Sequence, residues 1–468
     1  MQLRTWQSEC VSAAYEFYEH SRHFLCLATP AAGKTIMAAT LANKLFESDK
    51  VDLTVVISPS APTCNNAKRV FEKILRKKFD GKLGSVGCSI TYQAMLNLDD
   101  VFWELLATHR VLVIFDEIHH CAGETLAQAN AWGASIIRHV KDRAAYTLSL
   151  SGTPWRTDSL PVTLADYNPT DNTIQTHYQY GLGRAIKERV CRLPQVVLID
   201  NENIVVKNKS EQNHFKTFIE LFNQKLISYS ELLHNENALK YILSAATSKL
   251  NELRRHNPNA GGLIVAASVS HAMIIQSLMA SIFDIQAVIV SYKSDKSAGV
   301  INEFRHSEAP WIISIGMISE GTDIPRLQVC CHLSRVKTEL YFRQIIGRIL
   351  RVTSAELEKA WLYTFAEPNL TNFAHRLADD IPNYPVVLKE DVDEPMNVAA
   401  KHTPYKENSL LNSSRSKSSE IFKSKPSLEI APNFKEAPNY STNLSQMLHL
   451  DVVGKFRQQL VSVYQSPF

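Results

Sequence analysis

The sequence has no Cys-x-x-Cys pair. Its eight cysteines are scattered, which argues against a zinc or iron–sulfur centre. No apolar run reaches the length of a membrane span, and Met1-Gln2-Leu3-Arg4-Thr5-Trp6-Gln7 carries no apolar signal core. The chain therefore reads as cytoplasmic and reduced, with no membrane partner. A strong charge of one sign is also missing. A net charge of +3 over 468 residues neither demands nor excludes nucleic acid, so that question passes to local patches. A fused nuclease would need a second acidic cluster with a lysine on paired strands, and no such signature is visible. What is present is the composition of a globular chain, 45% hydrophobic and 21% charged. The length is too great for one core, so two or three domains are expected.

The most informative stretch is Ala28-Thr29-Pro30-Ala31-Ala32-Gly33-Lys34-Thr35. An apolar run, Phe24 to Leu27, precedes it, and a helix-like run, Ile36 to Ala42, follows. Strand, small-residue loop, Gly-Lys-Thr and helix form the setting a phosphate-binding loop needs. Backbone around Pro30, Ala31, Ala32 and Gly33 would close on a polyphosphate, helped by the helix N-terminus. Lys34 would reach the β- and γ-phosphates and the Thr35 hydroxyl would ligate Mg²⁺. Ala28 and Ala31 stand where such loops often carry glycine. Alanine is tolerable there only if the backbone avoids positive φ. Upstream, Arg4 and Gln7 open a helix, and the Gln7 amide can both donate to and accept from an adenine edge. Alone, that pair also fits a plain helix start.

Val111-Leu112-Val113-Ile114-Phe115 reads as a parallel strand buried on both faces. It delivers Asp116-Glu117-Ile118-His119-His120. In open α/β sheets an acidic pair at the carboxyl end of a central strand lies beside the phosphate loop. Asp116 would hold Mg²⁺, and Glu117 would orient and deprotonate an attacking water. His119 can link nucleotide state to the next strand, Ala145 to Leu150, which ends in Ser151-Gly152-Thr153. Ser151 and Thr153 can relay a γ-phosphate change onward. A His119–His120 metal site lacks matching ligands.

Nucleic-acid contacts are expected from the loop at Ser58-Pro59-Ser60 and from Thr91 and Gln93. Thr91 fits a helix cap equally well. The basic run Lys68, Arg69, Lys73, Arg76, Lys77, Lys78 reads as one amphipathic helix, either a solvated face or a backbone contact. Tyr178 to Arg192 reads as a short basic helix. Strands alternate with helices again from Gly262, through Ala287 to Val290 and Trp311 to Ile315. This half has no phosphate loop, so one nucleotide between two similar domains is expected. Gly321 and Asp323 would face that cleft. Gln344, Arg348 and Arg351 would form a row on one helical face, able to meet a γ-phosphate and neutralise charge developing on it.

These motifs in this order resemble the superfamily 2 helicases of the DEAD/DEAH kind, over residues 3 to about 365. The specific matches are Ala28–Thr35, Asp116–His119, Ser151–Thr153 and Gln344-x-x-Gly347-Arg348-x-x-Arg351. The variants Gly152-Thr153-Pro154-Trp155-Arg156 and Ser319-Glu320-Gly321-Thr322-Asp323-Ile324-Pro325-Arg326-Leu327 look like the branch of bacterial and phage proteins that includes restriction-enzyme motors. The resemblance implies an α/β chain of two tandem RecA-like parallel-sheet domains closing on ATP–Mg²⁺, with a nucleic-acid strand across both. It assigns Gln7 to adenine, Lys34 and Thr35 to phosphate and Mg²⁺, Asp116 and Glu117 to Mg²⁺ and water, and Arg348 and Arg351 to the γ-phosphate.

The expected divisions are an ATP-binding domain at 1–195, a connection at 196–240, a second helicase domain at 241–384, a flexible linker at 385–440 and an amphipathic segment at 441–468. The last is expected as a helix from Leu444 to Tyr464 that docks on the body or recruits a protein partner. The leading expectation is an ATP-dependent DNA helicase or translocase. RNA as substrate, a motor subunit of a defence or restriction assembly, and a nucleotide-gated scaffold are the alternatives.

Overall fold

The apolar run at 111–115 becomes a strand whose alternate side chains enter two separate cores. Leu112 and Ile114 pack with Trp6, Leu41 and Phe71, whereas Val111, Val113 and Phe115 pack with Tyr92, Trp103 and Ile136. A strand buried on both faces needs helices on both, which is the reason for its continuous hydrophobicity. The computed structural model describes residues 2–153, 155–207, 212–291, 297–316, 324–352, 358–378 and 448–462. The flexible linker expected at 385–440 lies outside them.

The first lobe contains β1 (His23–Ala28), β2 (Leu53–Ser58), β3 (Gly87–Thr91), β4 (Val111–Asp116), β5 (Tyr146–Ser151), a two-residue pair β6 (Asp166–Tyr167) and β7 (Ile174–Gln175), and β8 (Tyr178–Tyr180). Six of these form a parallel sheet in the order β3-β2-β4-β5-β1-β8. Helices α1 (Thr5–Phe17), α2 (Lys34–Glu47) and α3 (Ala61–Leu75) feed one core. The short α4 (Tyr92–Met95), α5 (Asp100–Thr108) and α6 (Ala131–His139) feed the other. The order puts β4 beside β5, and β5 beside β1. The carboxyl ends that carry Asp116, Ser151 and the loop after Ala28 are therefore neighbours.

The segment expected as one basic helix at 178–192 is divided. Tyr178–Tyr180 completes the first sheet, α7 (Leu182–Lys187) follows, and the chain then crosses to a second sheet. That sheet opens with β9 (Leu193–Asn201), so the stretch expected as a connection at 196–240 belongs instead to the second lobe. It continues with the hairpin β10 (Ile204–Lys207) and β11 (Gln212–Phe215) and with α8 (Phe218–Asn223), α9 (Tyr229–Leu233) and α10 (Glu236–Arg254). The parallel order is β13-β14-β12-β15-β16-β9, from β12 (Gly261–Ala266), β13 (Val288–Ser291), β14 (Trp311–Ile315), β15 (Leu327–Leu333) and β16 (Lys359–Phe365). Helices α11 (Val269–Phe283), α12 (Ser297–His306), α13 (Glu339–Ile349) and α14 (Pro368–His375) complete the lobe. Among the described residues no helix is long and apolar enough to cross a membrane.

The helix expected at 444–464 is instead two strands. β17 (His449–Val452) pairs antiparallel with β10, and β18 (Phe456–Ser462) pairs antiparallel with β9. The four-residue spacing of Leu448, Val452, Phe456 and Leu460 suggested a helix, but an unpaired β9 edge offers nine residues of backbone to complete. Side chains reinforce the pairing. Asn201 Nδ2 donates to Gly454 O at 2.7 Å, Asn235 Nδ2 donates to Leu450 O at 3.0 Å, and the Tyr241 and Phe456 rings stack at 4.3 Å. Removal of residues 448–468 should uncover β9. The expected result is a fall in melting temperature on the order of 5 °C, with aggregation that grows with concentration. Thermal unfolding followed by fluorescence and light scattering checks this, and an unchanged transition would show that these strands add no stability.

Candidate nucleotide site

β1 ends at Ala28, and the Thr29 N–H donates to Tyr180 O at 3.0 Å, which ties the start of the loop to the sheet edge. Helix α2 then begins at Lys34, with Gly33 before it at φ 93°. A Cβ on Gly33 would lie 2.9 Å from Gln7 Nε2, so only glycine fits this turn without a shift. Ala31 corrects the expectation that alanine here avoids positive φ. It sits at φ 67°, in the left-handed region. The loop needs that turn to curl its backbone inward, and the alanine tolerates it at a cost of about 1 kcal/mol.

Arg4 and Gln7 brace the loop from outside. Arg4 Nη1 donates to Ala32 O at 2.7 Å, Gln7 Nε2 donates to Gly33 O at 3.0 Å, and Gln7 Oε1 accepts from Arg4 N at 2.9 Å. Gln7 is 2% exposed. Both residues thus stand at the loop, with Arg4 Nη1 and Gln7 Nε2 spent on its carbonyls in this arrangement.

Lys34 Nζ donates to Ala28 O at 3.2 Å and pairs with Glu117 Oε1, also at 3.2 Å. Glu117 is itself held in a left-handed conformation, φ 54°, which aims its carboxylate back over the loop. Its other oxygen accepts from Gly152 N at 3.3 Å and stands 3.4 Å from His119 Nδ1. His119 Nδ1 lies 2.9 Å from Ser151 Oγ, and that hydroxyl accepts from Thr153 N at 3.0 Å. All three residues are buried. The geometry therefore places the acidic residue, the histidine and the Ser-Gly-Thr turn in one hydrogen-bonded chain. Asp116 closes β4, and Thr35 occupies the first turn of α2.

The second lobe reaches the same loop. A Cβ on Gly347 would stand 2.7 Å from Pro30 Cβ, so α13 rests directly on the loop. Gln344 and Arg348 lie on this helix, half-buried. Arg351 does not share their helical face, because the helix stops at Ile349. It forms an isolated antiparallel bridge with Cys191. Burial, then the charge of Arg305, brings the Arg351 guanidinium down to about 10, so it stays charged near neutrality. Gly321 and Asp323 lie outside the described residues.

The nucleic-acid expectations fare unevenly. Ser58 and Pro59 are buried at the end of β2, so neither presents a free surface. The Thr91 hydroxyl caps α4, accepting from Ala94 N at 3.0 Å, while Gln93 is exposed. Lys68, Arg69 and Lys73 lie on α3, but Arg76 at φ 54° ends the helix, and Lys77 and Lys78 leave it. Three features escaped the sequence reading. Tyr92, fully buried, donates to Asp116 O at 3.0 Å and steadies the acidic strand end. Trp155 lies under the Arg343 guanidinium at 5.3 Å, which joins the two lobes. Cys191, read only as part of a basic helix, touches Pro30 of the first lobe and bridges Arg351 of the second, and Arg192 beside it is buried against the second lobe.

Gly33 with no room for a side chain, the inward-curled loop, the lysine and the acidic pair fit a nucleoside triphosphate with Mg²⁺. Residues 1–156 match the family model of the type III restriction enzyme res subunit, and residues 245–353 match the helicase conserved C-terminal domain. The uncharacterized protein ML1624 of Mycobacterium leprae is 28% identical over 389 residues, which is 80% of this chain and 64% of its own length. The chain thus spans less than two-thirds of that relative. The DNA 3'-5' translocase XPB2 of Sulfurisphaera tokodaii is 23% identical over 380 residues, 76% of this chain and 80% of its own. Among solved structures, a fragment assigned as the HsdR subunit of a type I restriction enzyme from Vibrio vulnificus is alike in fold. It has a TM-score of 0.53 at 15% identity, over 82% of this chain and 67% of its own.

The strained loop residue supplies a direct check. Ala31→Gly removes the left-handed penalty and adds some unfolded-chain entropy, so a net stabilisation of up to about 1 kcal/mol is expected. Denaturant unfolding of the two proteins measures it, and a destabilised glycine variant would contradict the strain.

Proposed function

The chain belongs to the superfamily 2 helicases, in their restriction-motor-like branch, and on that premise we propose an ATP-driven translocase or helicase that acts on DNA. The observation that carries this reading is the convergence of three elements on one loop: Lys34 at its end, Glu117 paired with that lysine, and Gly347 of the second lobe against Pro30.

In this reading the loop backbone and Lys34 hold the triphosphate. Thr35 and Asp116 hold Mg²⁺, which when bound neutralises phosphate oxygens. Glu117 takes the proton of the attacking water as the new P–O bond forms and the bond to the β-phosphate breaks. Arg348 and Arg351, with Gln344, meet the γ-phosphate from the other lobe. Because Glu117, His119, Ser151 and Thr153 form one chain of contacts, loss of the γ-phosphate alters the turn at 151–153, and the Arg343–Trp155 contact passes the change to the second lobe. Such contacts bias two arrangements of the lobes, which would alternate their grip on a backbone strand.

DNA is favoured over RNA by the relative named as a DNA translocase. A second reading makes the chain the motor of a restriction or defence assembly, with other subunits adding specificity or cleavage. The res-subunit match over residues 1–156 favours it. The C-terminal strands, occupied on β9 and β10, are a weaker candidate for recruiting such subunits than the expected helix.

ATP hydrolysis measured without nucleic acid, then with single-stranded DNA, duplex DNA or RNA, tests the proposal. Stimulation by DNA is expected, with a loss of at least about 10²-fold in Lys34→Ala. Stimulation by RNA alone would move the substrate. Hydrolysis unaffected by Lys34→Ala would overturn the site.

A further inference from the structure

Between α7 and β9 the chain runs for a few residues in contact with both halves of the nucleotide site. Val190 and Cys191 fold back on Ala185 O through their N–H groups. Cys191, fully buried, then touches both lobes. Its Sγ donates to Pro30 O in the phosphate loop at 3.4 Å, and its backbone bridges Arg351. The next residue, Arg192, is 0% exposed. Its N–H donates to Leu350 O at 2.8 Å. Its guanidinium Nη1 donates to Ile349 O at 3.1 Å, to Leu327 O at 2.6 Å and to Pro325 O at 3.3 Å, while Nε pairs with the Glu358 carboxylate.

One side chain thus fixes the end of α13, the start of β15 and the approach to β16. Helix-end carbonyls have no partner within the helix, and a buried arginine satisfies them with a planar fork that lysine lacks. A buried ion pair seldom adds stability over an apolar replacement of equal volume, because desolvation consumes the attraction. What such a group adds is fixed geometry, and the geometry fixed here is the backbone that carries Arg351.

We propose that residues 190–193 are a strap that couples the phosphate loop to Arg351, and that Arg192 is the positioning residue holding Arg351 in reach of a γ-phosphate. The inference rests on the ATP reading above and adds the element that makes the second-lobe arginine respond to the loop. Arg192 touches no nucleotide in this account; it acts through the 349–351 backbone.

The test compares affinity for a non-hydrolysable ATP analogue with affinity for ADP, with Mg²⁺, by calorimetry on the full chain. The variants are Arg192→Lys, Arg351→Ala and the pair together. Arg192→Lys should cut the preference for the triphosphate about tenfold and leave ADP affinity unchanged. On the Arg351→Ala background it should have no further effect, because the two residues act as one unit. Equal weakening of both nucleotides, or losses that multiply in the double variant, would reduce Arg192 to a purely structural role and overturn the proposal. Should Arg192→Lys fail to fold, Glu358→Gln keeps the carbonyl contacts, loosens the fork and should lower the preference about threefold by the same logic. A natural chain that discriminates, beside variants that discriminate equally well, sinks the strap alone. A natural chain that binds neither nucleotide sinks the ATP reading and the strap with it.

Discussion

The pairing of Lys34 with Glu117 is the constraint on which the rest of the site depends. It brings the end of the phosphate loop and the end of β4 within 3.2 Å, and two other features are set by that approach. Glu117 must take a left-handed backbone to reach the lysine, and the loop must curl through Ala31 and Gly33 to present it. Neither conformation is favoured locally. Both persist because the surrounding parallel sheet over-determines them, with β4 and β1 separated only by β5 and buried on both faces.

The second lobe completes the site through the backbone as much as through side chains. Gly347 admits Pro30 because it has no Cβ, and the chain crossing at 190–193 reaches Pro30 through Cys191 and the end of α13 through Arg192. Among the described residues the lobes thus meet around this loop at the glycine contact, at the crossing segment and at the Arg343–Trp155 contact. A change at the loop has short physical routes to the second sheet. That arrangement suits a machine in which nucleotide chemistry drives relative motion of two similar domains.

Much of this was legible in the residues. The buried strands at 111–115 and 311–315 are readable from continuous apolar runs, and the phosphate loop from its strand–loop–helix setting. The contact of His119 with Ser151 was foreshadowed by their positions at adjacent strand ends. What was not legible depended on pairing across long separations. The segment 449–462 has helical spacing, yet the open edge of β9, some 250 residues earlier, decides its conformation. The same holds for 193–201, where the residues from 196 on read as an interdomain connection and the pairing with Lys359–Phe365 puts them in the second sheet. Positive φ at Ala31 is equally invisible in sequence, since alanine is a poor signal for it. Ser58 shows the converse, a polar residue expected at a surface but buried at a strand end, while Thr91 takes the helix-cap role that its sequence also allowed.

The measurement that bears most directly on the account is the hydrolysis and DNA-binding behaviour of Glu117→Gln. The amide keeps the shape of the carboxylate but can neither take a proton nor pair ionically with Lys34. The account predicts hydrolysis lowered about 10³-fold, with ATP-dependent DNA binding retained and prolonged, because the lobes close on ATP and cannot release it. A Glu117→Gln protein that hydrolyses ATP at the natural rate would contradict the central claim that this residue, set against the phosphate-loop lysine, performs the chemistry.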